Sequence, residues 1–206
     1  MSAASTITKE QANNFENQTS QFRKTKAMKR IVLIGMLLWS LPMMAQIKSA
    51  SLTASGLTCS MCSKSIFKAL EQVSTIAAVD ADVEKSIFKI QFKEGATVSL
   101  DAVKKAVEDA GFSVASLTVT AAFKGEKVQS DTHLIVGGST FHFLNVKEKQ
   151  LSGDVALTIV DKGYLSIKER KKYARYTTRK CFENGETAAC CPTNSSGSNR
   201  VYHVAL

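Results

Sequence analysis

Gly56-Leu57-Thr58-Cys59-Ser60-Met61-Cys62 is the stretch on which the reading of this chain turns. Before it, Ala50, Leu52 and Ala54 alternate with polar residues, the period of a strand with one buried face. After it, Ile66, Leu70 and Val73 recur at helical spacing, while Lys64, Lys68, Glu71 and Gln72 take the other faces. The two cysteines therefore stand where a strand hands over to a helix. Thiols at that spacing on such a turn are close enough to grip one soft metal ion, or each other. Thiolate is the ligand that selects Cu(I), Zn(II) and similar ions. The open N–H groups and positive dipole end of a helix start favour the thiolate form.

Outward from the motif the pattern continues. Val79, Ala81 and Val83 alternate, as do Phe88, Ile90 and Phe92, which predicts two strands joined by a short turn near Lys85. Leu100, Val103, Val107 and Ala110 form a second helical stripe, and Gly111 supplies its stop. Val114, Leu117 and Val119 begin a further strand. The order strand, helix, strand, strand, helix, strand places the chain in the α+β class.

Over residues 46–123 these features resemble the heavy-metal-associated domain. The 56–62 stretch is similar to that family's Gly-Met-Thr-Cys-x-x-Cys, residues 65–70 to its first helix, 79–85 to its second strand and 106–112 to the end of its second helix. The resemblance implies a ferredoxin-like βαββαβ sandwich: a four-stranded antiparallel sheet with two helices on one face. It implies Cys59 and Cys62 as the ligands of a soft ion, Cu(I) foremost, with Hg(II) and Zn(II) as other fits. Phe112 falls where related modules carry an aromatic facing the cysteines, so it either shields the ion from water or is a plain core aromatic. Thr58 supports the loop. Met61 offers a thioether, although the family points the residues between its cysteines outward. Leu57 stands where the family usually has Met, a volume-conserving exchange that removes no ligand.

Met28-Lys29-Arg30 precedes an apolar run over 31–41, then Pro42 and Met43-Met44-Ala45. A basic start, a short apolar stretch and a small residue at its end make a secretory signal over 28–45, cut after Ala45. The run is shorter than the roughly 20 residues of a membrane span. The expected location is the periplasm, or the membrane surface if the signal stays as an anchor. Residues 1–27 are polar and rich in Asn, Gln, Ser and Thr. They read as a non-native or disordered extension ahead of a start at Met28, or as a cytoplasmic tail on an uncut signal.

Lysine and arginine total 27 against 18 acidic residues, a net charge of +9. Without residues 1–45 the net falls to +5, and residues 46–123 are balanced, so the excess lies beyond Phe123. A basic chain invites a nucleic-acid reading. An exported protein meets little nucleic acid, and the basic run 168–175 has no RNA-binding or zinc-finger motif beside it. A solvated helix face, or contact with acidic headgroups, fits it better.

From residue 124 the character changes. Residues 134–136 and 140–144 predict strands around Gly137-Gly138, with another strand over 155–160 and a last one over 201–204. Ser166 caps a helix reaching Arg175, and 193–199 is a loop. Residues 124–206 are expected to be a small β-rich domain, a partly open barrel of no recognised family. They hold Cys181, Cys190 and Cys191 together with His133, His142 and His203. An exported chain can join Cys181 to Cys190 or Cys191 in a disulfide. Alternatively these cysteines and a histidine build a second metal site, though the spacing follows no established zinc pattern. His142 alternates with Phe141 and Phe143 and is expected to face away from their core.

No Gly-x-Ser-x-Gly, His-Glu-x-x-His or phosphate loop is present, and all three histidines lie outside the recognised module, so no enzyme activity is expected. The reading is metal binding for transfer or sequestration, with a partner such as a membrane metal transporter taking the ion, and no nucleic acid. A mercury scavenger is one alternative. An envelope thiol-disulfide oxidoreductase is another, but Pro42 and Pro192 leave no proline to stand opposite the cysteines, and Ser60-Met61 differs from the Gly-Pro usual between redox cysteines. A basic second half docking on a membrane partner is compatible with the first reading.

Overall fold

The computed structural model describes residues 45–57, 60–187 and 199–206. Residues 1–44, which hold the expected extension and all but the last residue of the expected signal over 28–45, lie outside the described residues, as do Thr58, Cys59, Cys190 and Cys191.

β1 (Gln46–Ser55) buries Ile47, Ala50, Leu52 and Ala54 and exposes Ser51 and Ser55. On one side Ala50 and Leu52 sit opposite Ile90 and Phe88 of β3 (Ile87–Phe92). On the other they sit opposite Val119 and Leu117 of β4 (Ser113–Val128). Such cross-strand apolar pairs are what fix the register of a sheet with one covered face. β2 (Ile76–Asp82) pairs with β3 at the sheet's edge. Val83, expected in that strand, is 50% exposed in the turn that follows, where Ser86 takes φ 55°. α1 (Ser60–Glu71) covers the apolar face with Ile66 and Leu70, and α2 (Leu100–Asp109) with Leu100, Val103 and Val107.

The ends of α2 explain its limits. Ser99 caps its start by accepting from the Ala102 N–H. At the far end Gly111 takes φ 88°, its N–H donates to Glu108 O, and the Phe112 N–H donates to Val107 O at 3.1 Å. This paired closure needs a residue without a Cβ at the left-handed position, and it swings Phe112 back onto the helix.

β2-β3-β1-β4 is the strand order of the ferredoxin-like arrangement, but the sheet does not stop there. Leu117, Val119, Ala121 and Phe123 keep alternating past the expected strand end, so β4 runs to Val128. Its length lets it pair with β1 over its first half and with β7 (Lys149–Ile159) from Thr118 to Val128. Residues beyond 123, expected as a separate β-rich domain, thus continue the same sheet in the order β7-β8-β6-β5. β5 (His133–Val136) and β6 (Ser139–Phe143) form the hairpin around Gly137-Gly138. β8 (Val201–Ala205) pairs antiparallel with β7 and parallel with β6.

The sheet curls until the hairpin tip returns to β1: Gly137 N–H donates to Ala45 O at 2.8 Å. Val136, Phe141 and Phe143 thereby join the core that contains Ile47, Phe92 and Val98. α3 (Ile167–Ala174) is capped by Ser166, which accepts from Glu169 N–H and donates to the Glu169 carboxylate. It buries no residue, as a solvated basic helix should. α4 (Cys181–Asn184) is one turn, closed by Gly185 at φ 72°. Among the described residues no helix is long and apolar enough to cross a membrane.

Candidate functional site

At the head of the module the chain leaves β1 through Gly56, whose φ of 86° is open to glycine and strained for other residues. The Phe112 ring lies where a Cβ on Gly56 would sit 3.9 Å from it. Leu57 is half-buried against the core, as is Phe112, so the aromatic expected near the loop is delivered there by the α2 closure. Thr58 and Cys59 lie outside the described residues. Cys62 is half-buried in the first turn of α1, and Met61 beside it is 66% exposed, turned to solvent. No acidic residue occupies that first turn, so no carboxylate there offsets the positive end of the helix.

Cys181 opens α4 and is fully buried. Its Sγ lies 3.4 Å from His203 Nε2 and 3.9 Å from His142 Nδ1. The other nitrogen of each ring meets a carboxylate: His203 Nδ1 is 2.6 Å from Asp161 Oδ1, and His142 Nε2 is 2.8 Å from Asp131 Oδ1. His133 stacks on His142 with ring centres 4.2 Å apart. Donor atoms of His133, His142 and Cys181 all lie within 4.8 Å of one another. His142 does face away from Phe141 and Phe143, as its alternation predicts, yet it is fully buried because α4 roofs that face of β6 and β8. Burial, aided by the neighbouring His133 and His203, pushes His142 down to about 4 against the pull of Asp131, so the ring is neutral at pH 7. Burial and Arg179 also lower His133.

Cys190 and Cys191, the other members of the expected disulfide or second metal site, lie outside the described residues. Among the described residues the structure brings Cys181 together with the three histidines. Part of this was encoded locally: a two-residue Gly137-Gly138 turn sets His133 opposite His142, which is the observed pair. The His142–His203 partnership needs the parallel β6–β8 pairing and has no local sign.

Asp161 carries the cluster on to the module. Besides His203 it takes Arg200 Nη2 at 3.2 Å, and Arg200 also reaches Asp101 near the start of α2, Nε to Oδ2 2.7 Å and Nη2 to Oδ1 3.2 Å. The Tyr164 and Tyr202 hydroxyls donate to the same Asp101 carboxylate at 2.8 and 3.2 Å. Burial and the Asp101 charge raise both phenols, Tyr202 to about 12, so both keep their protons to donate, and the Tyr202 oxygen also accepts from the Asp101 N–H at 3.3 Å.

Residues 51–113 match the family model of the heavy-metal-associated domain. No curated protein matches the chain. Among solved structures the chain is similar to the CopZ metallochaperone, at 24% identity over 32% of this chain and 97% of that one, with a TM-score of 0.30. It is also similar to oxidized MerP from Ralstonia metallidurans CH34, at 31% identity over 33% and 96%, with a TM-score of 0.30. The yeast copper transporter domain Ccc2a aligns at 25% identity over 32% and 88%, with a TM-score of 0.29. Residues 51–113 are accordingly a heavy-metal-associated domain, and through them this chain, longer than one such module, belongs to that family.

Proposed function

We propose that the protein binds a soft heavy-metal ion, Cu(I), between the thiolates of Cys59 and Cys62 and hands it on or sequesters it outside the cytoplasm. The observation that carries this reading is the Cys-x-x-Cys motif at the β1–α1 junction inside residues that match the heavy-metal-associated domain. The half-burial of Cys62 supports it, because a partly open thiol can be reached by an incoming ligand. So does the first turn of α1, which carries no acidic residue to oppose a thiolate. Two thiolates satisfy a soft monovalent ion while leaving it room for a third. A cysteine pair on a partner, such as a membrane metal transporter, can then add one sulfur, share the ion, and draw it away as the original sulfurs leave. This is ligand exchange and asks for no catalytic group. Export to the periplasm rests on the segment 28–45.

The test is a titration of the reduced protein with Cu(I) against a competing chelator, beside Cys59→Ser/Cys62→Ser, with Hg(II) and Zn(II) for comparison. The expected result is one tight Cu(I) equivalent that the double substitution removes. A double variant that competes for Cu(I) as well as the parent refutes the assignment. A parent that binds Hg(II) tightly and Cu(I) weakly redirects it to mercury.

A further inference from the structure

We propose that Cys181, His142, His203 and His133 form a second metal site, built by the C-terminal strands, for a transition-metal ion that accepts imidazole and thiolate together, Zn(II) or copper. The site is independent of the Cys59–Cys62 loop and does not rest on the reading given to it.

A carboxylate only accepts, so the ring nitrogen facing Asp161 on His203, and the one facing Asp131 on His142, carry the ring hydrogens. The nitrogens aimed at Cys181 Sγ, His203 Nε2 and His142 Nδ1, are then bare lone pairs. A thiol has one hydrogen and serves one of them at a time. Deprotonating the sulfur makes matters worse, since an anion would face two lone pairs. A cation at their meeting point satisfies all of them together.

An ion held tetrahedrally at about 2.3 Å from sulfur and about 2.0 Å from nitrogen sets sulfur and nitrogen about 3.5 Å apart. The observed separations of 3.4 and 3.9 Å bracket that value. Metal-bound histidines characteristically give their outer ring N–H to a carboxylate, which fixes tautomer and aim. Here two of the histidines do so, from opposite ends of the cluster. His133, half-buried and stacked on His142, stands on the solvent side as a further nitrogen donor, and the Asp131 side chain beside it is 45% exposed, which gives the ion a way in. A nucleophilic Cys–His–Asp triad is the competing reading of Cys181, His203 and Asp161, but a sulfur with no exposed surface cannot reach a substrate. A set of three nitrogens and one sulfur suits Zn(II) and copper better than the all-oxygen cations.

The experiment uses the full chain carrying Cys59→Ser/Cys62→Ser, so that the loop contributes nothing. It is loaded separately with Zn(II) and with copper, the bound ratio is measured, and Co(II) serves as the spectroscopic probe. We expect one retained equivalent and thiolate-to-Co(II) charge-transfer absorption, with a raised melting temperature on loading. Adding Cys181→Ser abolishes the charge-transfer band, whereas adding Cys190→Ser/Cys191→Ser leaves it. Asp131→Asn, at a part-exposed position, weakens binding by about 10- to 100-fold without touching a ligand. If Cys181→Ser fails to fold, Asp131→Asn and His133→Gln decide. Absence of a bound equivalent in the folded parent overturns the proposal. So does a charge-transfer band that survives Cys181→Ser, one that is lost with Cys190→Ser/Cys191→Ser, or an affinity unmoved by both Asp131→Asn and His133→Gln.

Discussion

Asp101→Ala tests how the C-terminal strands are fastened to the metal-binding module. In the folded protein its carboxylate takes both prongs of Arg200, at 2.7 and 3.2 Å, and the hydroxyls of Tyr164 and Tyr202. Arg200 is 24% exposed and Asp101 40%, so the ion pair belongs near the low end of charged hydrogen bonds, about 1.5 kcal/mol. Tyr164 is fully buried, and stranding its hydroxyl adds about 1–2 kcal/mol. The better helix propensity of alanine and the lost carboxylate in the first turn of α2 differ by only a few tenths of a kcal/mol, in opposite directions. The expected loss is therefore about 3 kcal/mol, read by urea unfolding, or a drop of about 6–12 °C in melting temperature for a chain of this size. Asp101→Asn keeps an acceptor for Tyr164 and loses about half as much. The pH dependence follows with its sign. Burial works to raise Asp101, but the Arg200 hydrogen bond and charge, with the two phenols, outweigh it and hold the carboxyl below the usual range. Its contribution is full above the unfolded value near pH 4 and disappears as pH falls through the lower folded value. The gap between parent and variant should close in acid. A loss within about 0.5 kcal/mol, the scale of a neutral surface change, or a gap that does not narrow in acid, refutes the reasoning.

Gly185→Ala forces a Cβ into the Arg200 guanidinium at a φ of 72°; it should cost at least the roughly 1–2 kcal/mol of a left-handed non-glycine residue, and an unchanged melting temperature would contradict this. Phe112→Ala removes a half-buried ring beside Gly56; stability should fall by about 1–2 kcal/mol, and a competing chelator should strip Cu(I) from the loop faster than from the parent, whereas an equal rate makes Phe112 a core residue only. Thiols at Cys59 and Cys62 should oxidise and be alkylated readily in the metal-free protein and slowly in the loaded one. Equal alkylation rates in the two forms remove the metal from those sulfurs.

What sequence alone could reveal follows the range of the interactions involved. The module was legible because its strands and helices each announce themselves by local period: Ala50, Leu52 and Ala54 in β1, Leu100, Val103 and Val107 in α2, with Gly111 as a stop. The hairpin of β5 and β6 was legible for the same reason, through Gly137-Gly138. The partnerships of β4 with β7 and of β6 with β8 were not, since they join residues up to about sixty positions apart and depend on pairing rather than period. The burial of His142 was hidden too, because its cover is a single helical turn with no periodicity of its own.

These long-range pairings also explain why the expected boundary at 123 is not a place to cut. Ending the chain there would strip β7 from β4 and leave Thr118, Thr120 and Ala122 on an open strand edge, the kind of edge that invites pairing with other chains. It would also release the hairpin tip from Ala45 and leave Asp101 without Arg200 or either phenol. The same guanidinium that grips Asp101 holds Asp161 at 3.2 Å, and Asp161 aims His203 at Cys181. The buried Cys–His cluster is thus positioned by a chain of bonds that begins on a helix of the module, so the module and the strands that follow it complete one another.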